Sequence, residues 1–164
     1  MNEIELAESF FPALQDRPII HNTIGAVLKD TALKRGRNEA LVEVKQDGKL
    51  GRRWNYETLY KDSLQLAFAL LSRFKKGEHI VIWSPNSPEW VLIEYAAAFS
   101  GIVLVTANPS LQEKELRYIL ENSNAVALFL VPEFRGNPMV AIAKRAVVGN
   151  IAVRETINIS DHEA

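Results

Sequence analysis

Residues 79–90 read His79-Ile80-Val81-Ile82-Trp83-Ser84-Pro85-Asn86-Ser87-Pro88-Glu89-Trp90, and their order decides the fold class. Ile80 to Trp83 are apolar without alternation, as in a strand buried on both faces. Ser84 to Pro88 break that strand. Ser87, Pro88 and Glu89 then hold the N-cap, first-helical and first-turn places of a helix start. This helix is apolar nearly all round to Phe99, and Gly101 ends it before a second strand, Ile102–Thr106. Asn108-Pro109 turns into Ser110-Leu111-Gln112-Glu113, a capping-box pattern, and a helix to about Asn122. A third apolar strand covers Val126–Val131, a helix runs from about Pro138 to Val148, and a last strand lies near Glu155–Ile159. Strand centres near residues 81, 104 and 128 are 23 and 24 apart, the length of one βα unit. The expected fold is α/β, a doubly wound and mostly parallel sheet flanked by helices, with βα units from about 78 to 159.

Upstream, Thr23 is placed to cap a helix to about Arg35, with Ile24, Val27, Leu28 and Ala32 on one face. Two strands, Ala40–Lys45 and Arg52–Tyr56, flank Gln46-Asp47-Gly48-Lys49, whose Asp-Gly is a hairpin signal. Asn55 caps a long helix predicted to reach Lys76 before Gly77, with Leu59, Leu66 and Leu70 in a wide apolar stripe. A helix–hairpin–helix segment therefore precedes the sheet. Residues 1–22, broken by Phe10-Phe11-Pro12 and Pro18, read as an N-terminal arm, and 23–164 as one domain.

The composition excludes more than it assigns. Of 164 residues, 19 are Lys or Arg and 20 are Asp or Glu, a net charge of −1 that argues against a nucleic-acid binder. The chain has no Cys and 3 His, which removes thiolate chemistry and leaves little for a metal site. G-x-G-x-x-G, P-loop and G-x-S-x-G patterns are missing. Glu94, Ser100 and Gly101 interrupt the apolar stretch 90–107, so no transmembrane segment is expected. Residues 1–9 carry Glu3, Glu5 and Glu8 and no basic residue, which predicts a cytoplasmic protein.

The candidate ligand loop is Ser84, Asn86 and Ser87, at the carboxyl end of a parallel strand and the start of a helix, where anions are favoured. Capping and turn formation are the competing roles for the same three residues. Trp90 is expected to pack. His79 is expected to be a polar tip in solvent, and Glu113, Glu115 and Glu121 with Lys114 and Arg117 a solvated helix face. The residues alone give no catalytic constellation, cofactor site or metal site.

Trp54-Asn55-Tyr56-Glu57-Thr58-Leu59, then Lys76-Gly77-Glu78 through Trp90, then Asn108-Pro109, then Glu115-Leu116-Arg117-Tyr118-Ile119-Leu120-Glu121-Asn122-Ser123 occur in that order. Together they resemble the N-terminal region of the AMP-forming acyl-CoA synthetases, in the adenylate-forming ligase superfamily. The resemblance runs from Thr23 to Val131 and more loosely beyond. It implies activation of a carboxylic acid, fatty or aromatic, by ATP with Mg2+, and transfer of the acyl group to coenzyme A. It implies an incomplete N-terminal subdomain of that fold. The family's phosphate loop and catalytic lysine would lie beyond Ala164, so no catalytic residue carries over and this chain alone is expected to be inactive. An incomplete sheet is expected to self-associate through exposed apolar surface. The alternative reading is a short non-catalytic module that pairs with a larger partner. Ser160, Asp161 and Glu163 read as a helix start at the very end of the chain.

Overall fold

The computed structural model describes residues 20–45 and 47–160. Most of the arm, residue Gln46 of the hairpin turn and the helix start after Ser160 lie outside the described residues. The elements run α1 (Ile24–Arg35), β1 (Glu39–Val44), β2 (Leu50–Asn55), α2 (Tyr56–Leu71), β3 (His79–Trp83), α3 (Pro88–Ser100), β4 (Val103–Ala107), α4 (Glu113–Asn122), β5 (Ala127–Leu130), α5 (Met139–Ala146) and β6 (Glu155–Asn158). β1 and β2 form an antiparallel hairpin, and the other strands form one parallel sheet in the order β4-β3-β5-β6.

The two central strands are apolar on both sides because each side faces helices. Ile80, Ile82, Ala127 and Phe129 pack against Ala67 and Leu70 of α2, Phe74 just after it, and Ile93, Ala96 and Ala97 of α3. Val81, Trp83, Leu128 and Leu130 face the other way, toward Leu116 and Leu120 of α4 and Met139, Ile142 and Ala143 of α5. This is the doubly wound arrangement. No residue of α3 is exposed, because α2, α1 and β1 cover the side turned from the sheet. Its all-round apolar sequence is thus accounted for within the chain.

Three helix bounds and one buried helix face differ from the sequence reading. α2 stops at Leu71, where Ser72 Oγ donates to Ala69 O and the chain drops Phe74 into the core at 2% exposure. The charged end Arg73–Gly77 is therefore a turn. α4 starts after Gln112, because Glu115 accepts from the Gln112 N–H, while Ser110 N donates to Asn108 Oδ1 in the preceding turn. α5 is held to Met139–Ala146. On α1, Leu28 is buried, but Ile24 and Val27 are exposed at 60% and 47%. Gly25 and Leu28 make the buried face instead, and Gly25 lies against the Phe99 ring.

Candidate functional site: a cleft where the sheet divides

The chain leaves β3 toward one face of the sheet, into α3, and leaves β5 toward the other, into α5. Adjacent parallel strands whose connections diverge open a crevice at their carboxyl ends, the usual ligand position in such sheets. Here it is a cleft of about 860 Å3, bounded by Pro85 and Asn86 after β3, residues 131–135 after β5 and Ser160 after β6.

The three candidates of the β3–α3 loop come together here but have different work. Ser84 is buried, and its Oγ donates to Pro85 O at 2.7 Å. Ser87 is the N-cap of α3, its Oγ accepting from Trp90 N at 3.3 Å. Asn86 is exposed, and it borders both the cleft and a second hollow of about 360 Å3 between β1 and the start of α3. Of the three, Asn86 is the one whose side chain faces the open space with no structural bond. Trp90 packs, half-buried, on the α2–α3 side of the core.

The loops around the cleft are tied together. Trp83 is fully buried, and its Nε1 donates to Asn108 O at 2.8 Å. Asn137 Nδ2 donates to Pro109 O at 2.9 Å and Leu111 O at 3.3 Å, while its Oδ1 accepts from Gln112 Nε2 at 3.1 Å. These bonds fasten the β5–α5 loop to the β4–α4 loop. Within the β5–α5 loop, Phe134 and Asn137 exchange backbone hydrogen bonds at 3.1 and 2.8 Å across Arg135 and Gly136. Both central residues have positive φ, 48° and 78°, the pattern of a type I′ turn. The Arg135 guanidinium carbon lies 5.1 Å from the Phe134 ring centroid.

Beside the cleft, Arg52 of the hairpin reaches Glu43 at 2.8 Å and Glu89 of α3 at 2.6 Å. Hydrogen bonds from the Arg52 side chain and backbone hold the Glu43 carboxyl at about 2. Burial acts to raise Glu89, and bonds from Arg52 and from its own backbone N–H outweigh it, so its carboxyl stays below the ordinary range. This ion pair sets the hairpin against the start of α3. At the opposite end of the sheet, Arg154 makes two 2.9 Å bonds to Glu78 and, with the Lys75 N–H, holds that carboxyl at about 2.

Two sequence expectations change. His79 is half-buried, and its Nδ1 donates to Ser123 O at 2.6 Å, because the turn after α4 folds back over the start of β3. The α4 charges are not simply solvated. Arg145 binds Glu113 at 2.7 Å, and Arg117 donates to Arg145 O and Val148 O at 2.6 Å each, joining α4 to the end of α5. Sequence reasoning missed Arg135 and Asn137. Their signal was the Arg-Gly-Asn-Pro string between the third parallel strand and the helix that follows it. Among the described residues, no group of three or more His, Cys, Asp or Glu could hold a metal ion, and no helix is long and apolar enough to cross a membrane.

A family model described as AMP-binding enzyme matches residues 28–163. The chain belongs to the AMP-binding enzyme family. One relative, the medium-chain acyl-CoA ligase ACSF2 (mitochondrial) of Rattus norvegicus, is 32% identical over 138 residues, 84% of this chain and 22% of the relative. The Homo sapiens protein of that name is 34% identical over 124 residues, 75% of this chain and 20% of the relative. The chain thus spans about a fifth of the length of these curated relatives. Among solved structures, the N-terminal domain of FACL13 from Mycobacterium tuberculosis superposes with a TM-score of 0.72 at 24% identity, covering 85% of this chain and 34% of that one. The doubly wound sheet is therefore part of the N-terminal domain fold of the adenylate-forming ligases.

Proposed function

We propose that this chain is the N-terminal part of a ligase that activates a fatty acid with ATP and passes the acyl group to coenzyme A. The carboxylate would attack the α-phosphorus of ATP, releasing pyrophosphate, and the coenzyme A thiol would then displace AMP from the acyl-adenylate. The observation that carries this reading is the family match across residues 28–163, joined to relatives whose names specify medium-chain acyl-CoA ligation. Those names favour an aliphatic acid over an aromatic one.

In this reading the described residues supply scaffold and one wall of the site. The stapled loops keep the carboxyl end of the sheet rigid, as positioning of two substrates requires. No carboxylate cluster for Mg2+ occurs among the described residues, so no metal-dependent step is assigned to them. The chain by itself has no ligase activity in this proposal.

The test is acid-dependent exchange of pyrophosphate into ATP, followed by thioester formation with coenzyme A. The intact gene product is expected to carry out both with medium-chain acids, and residues 1–164 alone neither. Absence of exchange with any fatty or aromatic acid would overturn the proposal for the whole protein. Exchange by residues 1–164 alone would overturn the division of labour.

A further inference from the structure

We propose that β4 pairs edge to edge with β4 of a second copy of this chain, antiparallel about a two-fold axis through Val105. β4 closes one side of the parallel sheet, with β3 as its strand neighbour. Val103 N donates to Glu78 O at 2.9 Å, so Val103, Val105 and Ala107 turn their backbone groups toward β3. Leu104 and Thr106 therefore turn theirs outward, where among the described residues no hydrogen bond reaches them. Native proteins ordinarily blunt such an edge with charge, proline or a bulge. The strand Val-Leu-Val-Thr-Ala carries neither charge nor proline, and its register with β3 is unbroken.

Symmetry and charge select a second copy as the occupant. With Val105 on the axis, Leu104 and Thr106 of one copy stand opposite Thr106 and Leu104 of the other. Every outward N–H and C=O of both strands is then paired, and the same surface serves both sides, as an isologous contact requires. At the amino end of β4, Lys76 lies over Gly101, where an added Cβ would meet its Cγ at 2.9 Å. Beyond the carboxyl end stands Glu115, in the first turn of α4. Both are exposed, and neither has an ion-pair partner among the described residues. Antiparallel pairing carries the Lys76 end of each copy to the Glu115 end of the other. The opposite edge, β6, is less suited to self-pairing, because it carries Glu155, bound to Arg73 at 3.2 Å, next to Arg154. A two-fold axis normal to the sheet also points the carboxyl ends of the two four-stranded sheets in opposite directions, so both clefts stay open.

One strand pair buries little area, so the dimer is expected to be weak and concentration-dependent, and a disulfide trap reads it directly. The chain has no cysteine, so Val105→Cys supplies a single thiol. Opposed residues of a non-hydrogen-bonded antiparallel pair have Cα atoms about 4.5 Å apart, inside the disulfide range. Val103→Cys is the control. Its opposite number is Ala107, so the two introduced thiols would stand about 14 Å apart along the strands. Under mild oxidation Val105→Cys should form a covalent dimer about tenfold or more faster than Val103→Cys. Thr106→Pro, with the circular dichroism of the parent, removes one outward N–H from each copy at an edge position that tolerates proline. It should weaken self-association of the cysteine-free chain about tenfold or more in sedimentation equilibrium. No trapping at 105, equal trapping at 103 and 105, or sedimentation unmoved by Thr106→Pro would overturn the proposal. Should Thr106→Pro fail to fold, the ratio of trapping at 105 to that at 103 decides alone.

Discussion

Replacing Asn137 tests whether the carboxyl end of the sheet is held by side-chain bonds or by backbone alone. Asn137→Ala removes three: Nδ2 to Pro109 O at 2.9 Å, Nδ2 to Leu111 O at 3.3 Å, and the Gln112 Nε2 donation to Oδ1 at 3.1 Å. Each contributes about 1 kcal/mol net, and the longest less. Asn137 is half-buried, so water recovers part of the loss, leaving an expected cost of about 1.5–2 kcal/mol. For a chain of this length that lowers Tm by about 4–6 °C. Asn137→Asp sharpens the test. It keeps an acceptor for Gln112 but sets a carboxylate against two carbonyl oxygens, so it should destabilise more than Ala at pH 7 and recover on acidification. Urea unfolding of the three proteins side by side, with Tm by circular dichroism, measures both effects. A loss below about 0.5 kcal/mol for Ala, or Asp no worse than Ala, would refute the staple, since surface substitutions away from such features stay within that range.

Three further outcomes follow from the packing and charges. Gly25→Ala should destabilise by about 1–2 kcal/mol in urea unfolding, because overpacking outweighs the gain in helix propensity. An added Cβ would sit 2.7 Å from Phe99 Cδ1, and that ring is already edge-on to Tyr60 at 5.6 Å. Ser63→Ala should instead leave the protein unchanged or stabilise it by up to about 1 kcal/mol, since an unsatisfied buried hydroxyl is lost; Ser63 is fully buried and its Oγ has no hydrogen-bond partner among the described residues. Glu43 and Glu78 have carboxyls held at about 2, below the ordinary carboxylate value of 4.5, so their stabilising contribution is complete above that unfolded value. It should fade as pH falls from about 4.5 toward 2, and Glu78→Gln should flatten that part of the stability–pH curve.

The fold was legible because its signals are local. Continuous apolar runs at Ile80–Trp83 and Ala127–Leu130 say that both faces are covered, and spacing near 24 residues leaves a parallel crossover as the short connection. Caps are local too: Thr23, Asn55 and Ser87 each bond a backbone N–H within three residues. Errors came where a distant partner outweighed the local preference. The basic turn after α2 had the composition of a helix end, but burial of Phe74 broke the helix five residues early. Ile24 and Val27 had helical spacing with Leu28, yet the face packed on α3 is chosen by Gly25, where the absent side chain lets Phe99 approach.

The cleft shows the same division at the level of the site. Ser84, Asn86 and Ser87 could be nominated because the end of a parallel strand is recognisable from its own letters. Which of them faces open space could not, since that depends on Ser84 bonding inward and Ser87 turning to cap α3. Asn137 and Arg135 were less accessible still. Asn137 acts on carbonyls 26 and 28 residues upstream, and no local pattern encodes a bond across that distance. Arg135 gains its position from a turn whose two hydrogen bonds join its neighbours rather than itself. The strands thus place the crevice, while long-range polar bonds select the side chains that face it, so single substitutions at 135 and 137 should alter the site without altering the fold.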